Sequence, residues 1–302
     1  MTGVLILDKP EGYTSFDAVA VLRRLTGERK IGHTGTLDPM ATGVLPMLLG
    51  RATRALPFLA ERHKTYEAAF AFGAQTDTLD RTGTVQVQDD VPISREKLEQ
   101  ILPCFTGSIM QIPPMFSALR QNGERLYDLA RQGKTVERQP RAVTVDKLEI
   151  LAYDEESRTG RLRMTCSGGT YVRTLCDDLG RALGSHGIMT ALRRTSASGF
   201  SIQDAVTVEA AKQMGQAALL QRVLPVETLF LDLPEVCVTL PQAKRFCNGG
   251  VLSLERLHGL VQAAGNCRVK DPAGNFLGLG APDEAKGELA VARLFAQEDG
   301  TL

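Results

Sequence analysis

Short hydrophobic runs with two different periods alternate along the chain and predict a mixture of strands and helices. Residues 3–7 are continuously apolar and end in a turn at Asp-Lys-Pro, which is typical of a buried strand. Residues 64–72 alternate between apolar and polar positions, as a half-buried strand does. Residues 16–25 place apolar side chains at helical spacing, and Thr14 with Asp17 resembles a capping box that starts this helix.

Similar patterns in the rest of the chain predict an α+β fold. Further strands are predicted over residues 44–49, 143–153 and 161–166, and further helices over residues 94–102, 124–132, 171–183 and 207–223. Strand pairs of the hairpin type mix with single helices, whereas regular strand–helix–strand alternation is absent, so a doubly wound sheet is disfavoured. From residue 231 to 302, glycines and prolines punctuate short strand-like runs and predict a small β-rich second domain.

Composition predicts an ordinary globular protein of a reducing compartment. Hydrophobic residues make up 43% of the 302-residue chain and charged residues 23%. The six cysteines form no CxxC pair, and none of the four histidines stands at zinc-ligand spacing from them. No run approaches the roughly 20 apolar residues of a membrane span. We therefore expect a cytoplasmic protein without a membrane span or a metal.

The charge is balanced overall but unevenly distributed. Formal net charge is zero, yet residues 119–141 hold six lysines or arginines against three acids. A basic stretch of this kind suits a polyanionic partner, because local charge matters more than the total. A solvated helix face explains the same residues equally well.

Residues 32–43, with the sequence GHTGTLDPMATG, form the most unusual stretch of the chain. Three glycines make this loop costly to order, and Pro39 pushes Asp38 towards an extended backbone. Three roles are open for Asp38. It could cap an Asx-turn, belong to a phosphate-binding loop, or act as a catalytic carboxylate. The GK[ST] ending of a P-loop is missing, and the loop is not a GxGxxG after a strand.

A single carboxylate restricts the chemistry that this loop can perform. Glycoside hydrolysis usually needs two carboxylates, and the motif supplies one. Metal-assisted hydrolysis needs more ligands than the loop offers. A lone aspartate can serve as the nucleophile in a reaction whose leaving group never departs, because nothing must then be protonated and replaced by water.

The loop and eight further motifs together resemble one protein family. The run GHTGTLDPMATGVLP looks like the signature of the bacterial tRNA pseudouridine-55 synthases, the TruB family. The other motifs follow in the family's order between residues 3 and about 205: GVLILDKP, KTY, QTDTLD, IPPMFSAL, ARQG, GTYVRT, DDLG and LRR. Thr36 and Met40 stand where alanine and leucine are common, and neither changes a titratable group.

The resemblance implies a fold and a reaction. The expected fold is a pseudouridine-synthase-like, mixed and largely antiparallel sheet with flanking helices over residues 1–230. A small PUA-like RNA-binding domain is expected over residues 231–302. The implied reaction turns one uridine of the tRNA T-loop into pseudouridine without a cofactor. The C1′–N1 bond breaks, the bound uracil turns, and C5 bonds to C1′.

The resemblance also assigns roles to individual residues. Asp38 matches the essential aspartate, which either attacks C1′ or removes the 2′ proton. Tyr66 matches the tyrosine that stacks on the flipped base, and Arg173 matches the arginine that pairs with the aspartate. Four further residues are expected to bind the substrate or complete the site: His33, Asp80, Tyr171 and Leu192.

The implied partner is the T-stem loop of tRNA, contacted by an insertion at about residues 105–142 that includes the basic stretch. We expect a monomer with no obligatory protein partner, which also assists tRNA folding. Two alternatives stay open at this point. One is a non-catalytic tRNA-binding or tRNA-folding protein on the same scaffold, and the other is a relative that modifies a different RNA.

Overall fold

The computed structural model describes residues 1–59, 63–121, 123–257 and 265–296. The helices are α1 (Ser15–Thr26), α2 (Arg95–Ile101), α3 (Leu126–Arg131), α4 (Val172–Ala182), α5 (Val208–Leu220) and α6 (Leu240–Cys247). The first ten strands are β1 (Gly3–Lys9), β2 (Ile31–His33), β3 (Thr42–Leu49), β4 (Lys64–Phe72), β5 (Ala74–Thr76), β6 (Val85–Gln88), β7 (Gly107–Gln111), β8 (Arg120–Gln121), β9 (Glu124–Arg125) and β10 (Arg141–Asp154). The others are β11 (Thr159–Cys166), β12 (Gly187–Ala197), β13 (Phe200–Ser201), β14 (Val206–Thr207), β15 (Glu235–Cys237), β16 (Leu252–Ser253), β17 (Cys267–Lys270), β18 (Phe276–Asp283) and β19 (Glu288–Leu294).

A ten-stranded sheet forms the body of the protein. Its order is β14-β1-β3-β12-β4-β11-β10-β7, with β13 paired to β12 and β2 paired to β3. Only the β1–β14 and β3–β12 pairs are parallel among the described strands of this sheet. The predicted α+β fold with a mixed, largely antiparallel sheet is therefore confirmed.

Strand β1 is covered on both faces, which explains its continuous apolar sequence. Leu5 and Leu7 belong to a core that also contains buried side chains of α1, α4 and α5. Val4 and Ile6 point to the other face and pack in a cluster with Phe230. A strand buried on both faces has no polar side to alternate with the apolar one.

Local signals fixed the helix that precedes the glycine loop. Thr14 Oγ1 accepts from the Asp17 backbone N–H at 3.0 Å, and the Asp17 carboxylate accepts from the Thr14 N–H at 2.9 Å. Gly27 ends the helix in the left-handed conformation that glycine favours. The predicted capping box is thus confirmed, and it fixes where the chain enters the loop at residues 32–43.

The basic insertion projects from the edge of the large sheet. Its base is the antiparallel pair β7–β10, in which Gln111 lies opposite Arg141. Residues 112–140 between these strands carry the hairpin β8–β9 and the helix α3 in their described part. A separate small core holds this segment together, with three buried side chains: Met115, Leu126 and Leu129.

A second, five-stranded sheet follows the body of the protein, in the order β15-β17-β18-β19-β16. Its first strand begins at Glu235, close to the predicted start of the second domain. Leu279 and Phe295 of this part pack in the cluster that contains Phe230. The division of the chain at residue 230 stays a prediction. No helix in the described ranges has the length and apolar character needed to cross a membrane.

Two neighbouring aspartates of α4 have opposite surroundings. The Asp177 carboxylate accepts from Gln75 Nε2 at 2.9 Å and from Arg181 Nε at 2.6 Å. The carboxylate of the next residue, Asp178, enters none of the side-chain hydrogen bonds or ion pairs of the described residues. Burial raises the pKa of Asp178 to about 6, with the charge of Asp177 adding to the rise and that of Arg181 opposing it. Ionised Asp178 therefore destabilises the folded chain.

We expect Asp178→Asn to stabilise the protein at neutral pH and to have little effect in acid. The folded pKa of Asp178 lies above its ordinary value of 3.8, so the cost of ionisation appears as the pH rises from about 4 to above 6. The gain at pH 7.5 should be about 1–2 kcal/mol, reduced by the solvent that still reaches the carboxyl. Urea unfolding of both proteins at pH 7.5 and pH 4 measures this difference in the free energy of unfolding.

Asp177→Asn is the matched control, because it removes a carboxylate that has partners and should lower stability at pH 7.5. A variant Asp178→Asn that is no more stable than the native chain at pH 7.5 would contradict the destabilising effect of the half-buried charge.

Candidate active site

The glycine loop that holds Asp38 is anchored to the sheet and to α1 on both sides of the aspartate. The Ser15 hydroxyl accepts from the Leu37 N–H at 2.9 Å and donates to the Leu37 carbonyl at 3.1 Å. Lys9 Nζ donates to the carbonyls of Tyr13 at 2.6 Å and of Pro39 at 3.4 Å. Because the residues before and after it are fixed, Asp38 has a defined backbone position.

Gly43 allows the end of this loop to approach strand β12 closely. It lies opposite Arg194 in the parallel pair β3–β12 and has a φ of 107°. A Cβ atom at this position would lie 2.2 Å from the Arg194 carbonyl oxygen. Only glycine combines this backbone conformation with this approach, so the third glycine of the motif serves packing.

Arg173 brings the predicted acids together at the first turn of α4. Its Nη2 lies 3.0 Å from Asp38 Oδ2, and its Nη1 lies 3.7 Å from Asp80 Oδ2. Nη1 also donates to the Thr78 carbonyl and Nη2 to the Phe116 carbonyl, both at 3.0 Å. The arginine side chain is 6% exposed, whereas that of Asp38 is 38% exposed. Asp38 thus keeps solvent access while its partner is buried.

Asp80 is held away from solvent by its own loop. Its Oδ1 accepts from Thr78 Oγ1 at 2.8 Å, from the Thr82 N–H at 2.9 Å and from Thr82 Oγ1 at 2.6 Å. It approaches Nη1 of Arg173, whereas Asp38 approaches Nη2, and it does not line the cavity described next. Asp80 is therefore placed to orient the arginine.

A cavity of about 250 Å³ opens beside the ion pair. Five of the seven predicted site residues line it: Asp38, Tyr66, Tyr171, Arg173 and Leu192. Ser117, Arg125 and Tyr127 of the insertion close another part of its wall. The wall of the cavity combines one carboxylate with two guanidinium groups, three phenol rings and several aliphatic side chains, which suits a flat base with polar edges.

The two tyrosines are fixed by different elements. Tyr66 lies on β4, where its alternating sequence turns it into the core, and burial raises the pKa of its phenol. Tyr171 occupies the N-cap position of α4. Its backbone is held by the Gln111 side chain, which accepts from the Tyr171 N–H at 2.8 Å and donates to the Tyr171 carbonyl at 3.0 Å. Burial also raises the pKa of Tyr171.

His33 lies outside this cavity. It ends β2 opposite Met47, and its Nδ1 is buried with no hydrogen-bond partner in the described structure. Burial lowers the pKa of this imidazole, and the charge of Arg194 lowers it further. A neutral ring at the N-terminal end of the loop is compatible with the predicted stacking role, which stays a prediction.

Two buried cations beside the loop were given no role from the sequence. Burial lowers the pKa of Lys9 to about 8, with the charge of Asp38 opposing this. Arg194 is fully buried and donates to the Val44 carbonyl at 2.7 Å. Their motifs were visible as GVLILDKP and LRR, but a pattern does not show which side chains turn inward. Within the described ranges, no group of three or more His, Cys, Asp or Glu side chains could hold a metal ion.

Two family models match consecutive parts of the chain. They are the TruB family pseudouridylate synthase N-terminal domain over residues 23–172 and the tRNA pseudouridylate synthase B C-terminal domain over residues 173–231. Both matches end by residue 231, so the PUA-like character of the second sheet stays a prediction.

Relatives along almost the whole chain carry the same family name. A tRNA pseudouridine synthase B of Dechloromonas aromatica is 45% identical over 280 residues, which is 93% of this chain and 91% of the relative. A tRNA pseudouridine synthase B of Pseudomonas fluorescens is 40% identical over 302 residues, which is 99% and 97% of the two chains. In a crystal structure of a Cbf5-Nop10-Gar1 complex, one chain matches with a TM-score of 0.74 and 25% identity, covering 98% of this chain and 86% of that one. Given these matches and a site built around the aspartate of its signature loop, the chain belongs to the TruB family of pseudouridylate synthases.

Proposed function

We propose that this family member converts uridine 55 in the T-loop of tRNA to pseudouridine, with Asp38 as the catalytic carboxylate. The reaction class follows from the family, since the relatives are named tRNA pseudouridine synthase B. The observation that carries the assignment of the site is the 3.0 Å ion pair of Asp38 with buried Arg173 at the wall of a base-sized cavity.

The proposed chemistry needs one carboxylate and no external reactant. The C1′–N1 bond breaks, the uracil turns within the cavity, and C5 forms the new bond to C1′. The proton leaves C5 for solvent and N1 gains one, so substrate and product are isomers. Asp38 is the one acid among the described residues lining the cavity, so it is the candidate to act on the sugar.

The cavity walls supply the means to hold a flipped base. Tyr66 and Leu192 approach from neighbouring strands, and Tyr171 from the start of α4. Stacking of a base on an aromatic ring contributes roughly 1–3 kcal/mol. This is comparable with the few kcal/mol that extrusion of a nucleotide costs. His33, at the entrance of the loop, is proposed to stack in the vacated T-loop.

The insertion is proposed to cover the T-stem loop. Its residues Ser117, Arg125 and Tyr127 line the cavity, so a nucleotide bound there would lie beside this segment. Its core contains three buried apolar side chains, and local opening is least costly where few such contacts exist. The second sheet is proposed to act as a PUA-like RNA-binding domain, with the whole enzyme acting as a cytoplasmic monomer without an obligatory protein partner.

Tritium release from a tRNA transcript labelled at uracil C5 tests the reaction and the role of Asp38. We expect the native chain to release tritium without added metal or nucleotide. Asp38→Asn should lower the rate by roughly 10³-fold or more, because no other acid of the cavity can replace the carboxylate. A transcript with cytidine at position 55 is the control for the site of modification.

Each contrary result has a separate meaning. A native chain that binds tRNA and releases no tritium would favour a tRNA-binding or tRNA-folding protein. Equal rates for the native chain and Asp38→Asn would leave the activity and remove Asp38 from it. Release from the cytidine-55 transcript would place the modification elsewhere.

Arg173→Lys should slow the reaction by about 10²-fold at saturating enzyme while tRNA binding changes little. A lysine ammonium cannot reproduce the planar set of donors that Arg173 offers to its four partners, and small displacements of catalytic groups cost about this much. Single-turnover rates and filter binding separate the two effects. Arg181→Lys, on the same helix and 56% exposed, is the control; an equal loss in both variants would argue against a special role of Arg173.

Hydrogen exchange of residues 112–140 should slow strongly when unmodified tRNA binds to Asp38→Asn. The segment rests on a small core in the free protein, and RNA would bury it further. Residues 64–72 of β4 lie in the large sheet and serve as the internal reference. Unchanged exchange over residues 112–140 in a saturated complex would contradict a covering role for the insertion.

A further inference from the structure

Two adjacent arginines of β12 face opposite sides of the sheet. Arg193 is 42% exposed in its side chain and pairs with Asp8 at 2.8 Å. Arg194 is fully buried and is the largest side chain in the core with no exposure. The strand alternation that exposes one arginine therefore turns the next one into the interior.

The buried guanidinium of Arg194 is bound by backbone carbonyls of the glycine loop and of Val44, the residue that follows it. Nε donates to Val44 at 2.7 Å, Nη2 to Gly35 at 3.0 Å and Nη1 to Thr36 at 3.4 Å. No ion pair of the described residues includes Arg194. A buried cation is costly unless its donors are satisfied. Here the acceptors come before and after Asp38 in the sequence. The carbonyls satisfy the buried guanidinium, and the guanidinium in turn fixes the backbone of the loop.

Arg194 also faces the second catalytic candidate. In the antiparallel pair β12–β4 it lies directly opposite Tyr66, and opposed residues of two strands point to the same face. Burial raises the pKa of the Tyr66 phenol, and the Arg194 charge is the first influence that opposes this rise. The other titratable groups near these two side chains are Cys166, Lys64, Asp38, His33 and Lys9.

We propose that Arg194 is a positioning residue for the isomerisation, which fixes the backbone on both sides of Asp38 and holds the Tyr66 phenol against the same loop. This inference rests on the proposed function. One guanidinium would then set the distance between the carboxylate that acts on the sugar and the ring that stacks on the base. The short loop cannot supply this rigidity through its own side chains, because it is rich in glycine.

A purely structural role makes a different prediction from a positioning role. A core arginine that only supports the fold would lower thermal stability and leave the rate per folded molecule unchanged. A positioning residue lowers the rate of the chemical step in molecules that are folded and carry bound tRNA. The two roles are separated by single-turnover kinetics at saturating enzyme, combined with tRNA affinity and the midpoint of thermal unfolding.

The test uses Arg194→Lys and Arg194→Gln, with Arg193→Gln as the matched control on the other face of the same strand. We expect both Arg194 variants to lower the single-turnover rate of tritium release by about 10²-fold, with the Kd for tRNA changed by less than about threefold. Arg194→Lys keeps a cation of similar length and carries the test if Arg194→Gln does not fold. Arg193→Gln should stay within about threefold of the native rate.

A double-mutant cycle with Tyr66→Phe tests the second contact. If Arg194 acts partly through the phenol oxygen, Arg194→Lys should cost less in the Tyr66→Phe background than in the native one. Additive losses would overturn the Tyr66 part of the proposal. Native rates in folded Arg194→Lys, or losses that follow tRNA affinity alone, would overturn the proposal as a whole. A native chain without activity in the same assay would instead overturn the proposed function.

Discussion

The ion pair between Arg173 and Asp38 is the interaction on which the rest of the site depends. Arg173 stands in the first turn of α4, where the positive end of the helix dipole makes a cation unfavourable. Burial adds to this cost, since the side chain is 6% exposed. The carboxylates of Asp38 and Asp80 offset both effects from two sides. The arginine can therefore be rigid and buried while one of its two acids faces the cavity.

The other cations near the loop are bound differently. Lys9 and Arg194 donate to backbone carbonyls, and neither takes a carboxylate partner among the described residues. Asp38 is the one acid among the described residues lining the cavity, and it lies near several positive charges. Net charge for the whole chain is zero, but the side chains of Lys9, Arg173 and Arg194 all contact this loop. A polyanionic substrate responds to local charges of this kind, which explains why the overall composition says so little about the partner.

The sequence predicted those parts of the fold in which local chemistry and burial agree. Residues 64–72 alternate cleanly and form β4, and the capping box of Thr14 starts α1. The pattern predicted no strand over β12, although this strand joins β3 to β4 in the middle of the sheet. Two adjacent arginines interrupt its apolar alternation, and one of them is buried by contacts that only the folded loop provides. The pattern failed where a buried polar contact replaces an apolar one.

The candidate site was accessible from the sequence only through the family resemblance. Spacing along the chain cannot show that Asp38, Tyr66 and Arg173 line one cavity, because they come from a loop, a strand and a helix far apart in sequence. Asp80 and His33 matched motifs equally well, yet they lie outside the cavity wall. A motif identifies residues that act together and does not distinguish a residue that lines the site from one that orients it.

Arg173 connects the insertion to the carboxylate of Asp38. Nη2 of Arg173 reaches both the Asp38 carboxylate and the Phe116 carbonyl, each at 3.0 Å. Any displacement of the insertion therefore changes the set of acceptors around the group that holds Asp38. Ser117 and Tyr127 of the same segment also form part of the cavity wall. One guanidinium thus contacts both the carboxylate and a segment of the cavity wall, and no longer chain of contacts is needed to connect them.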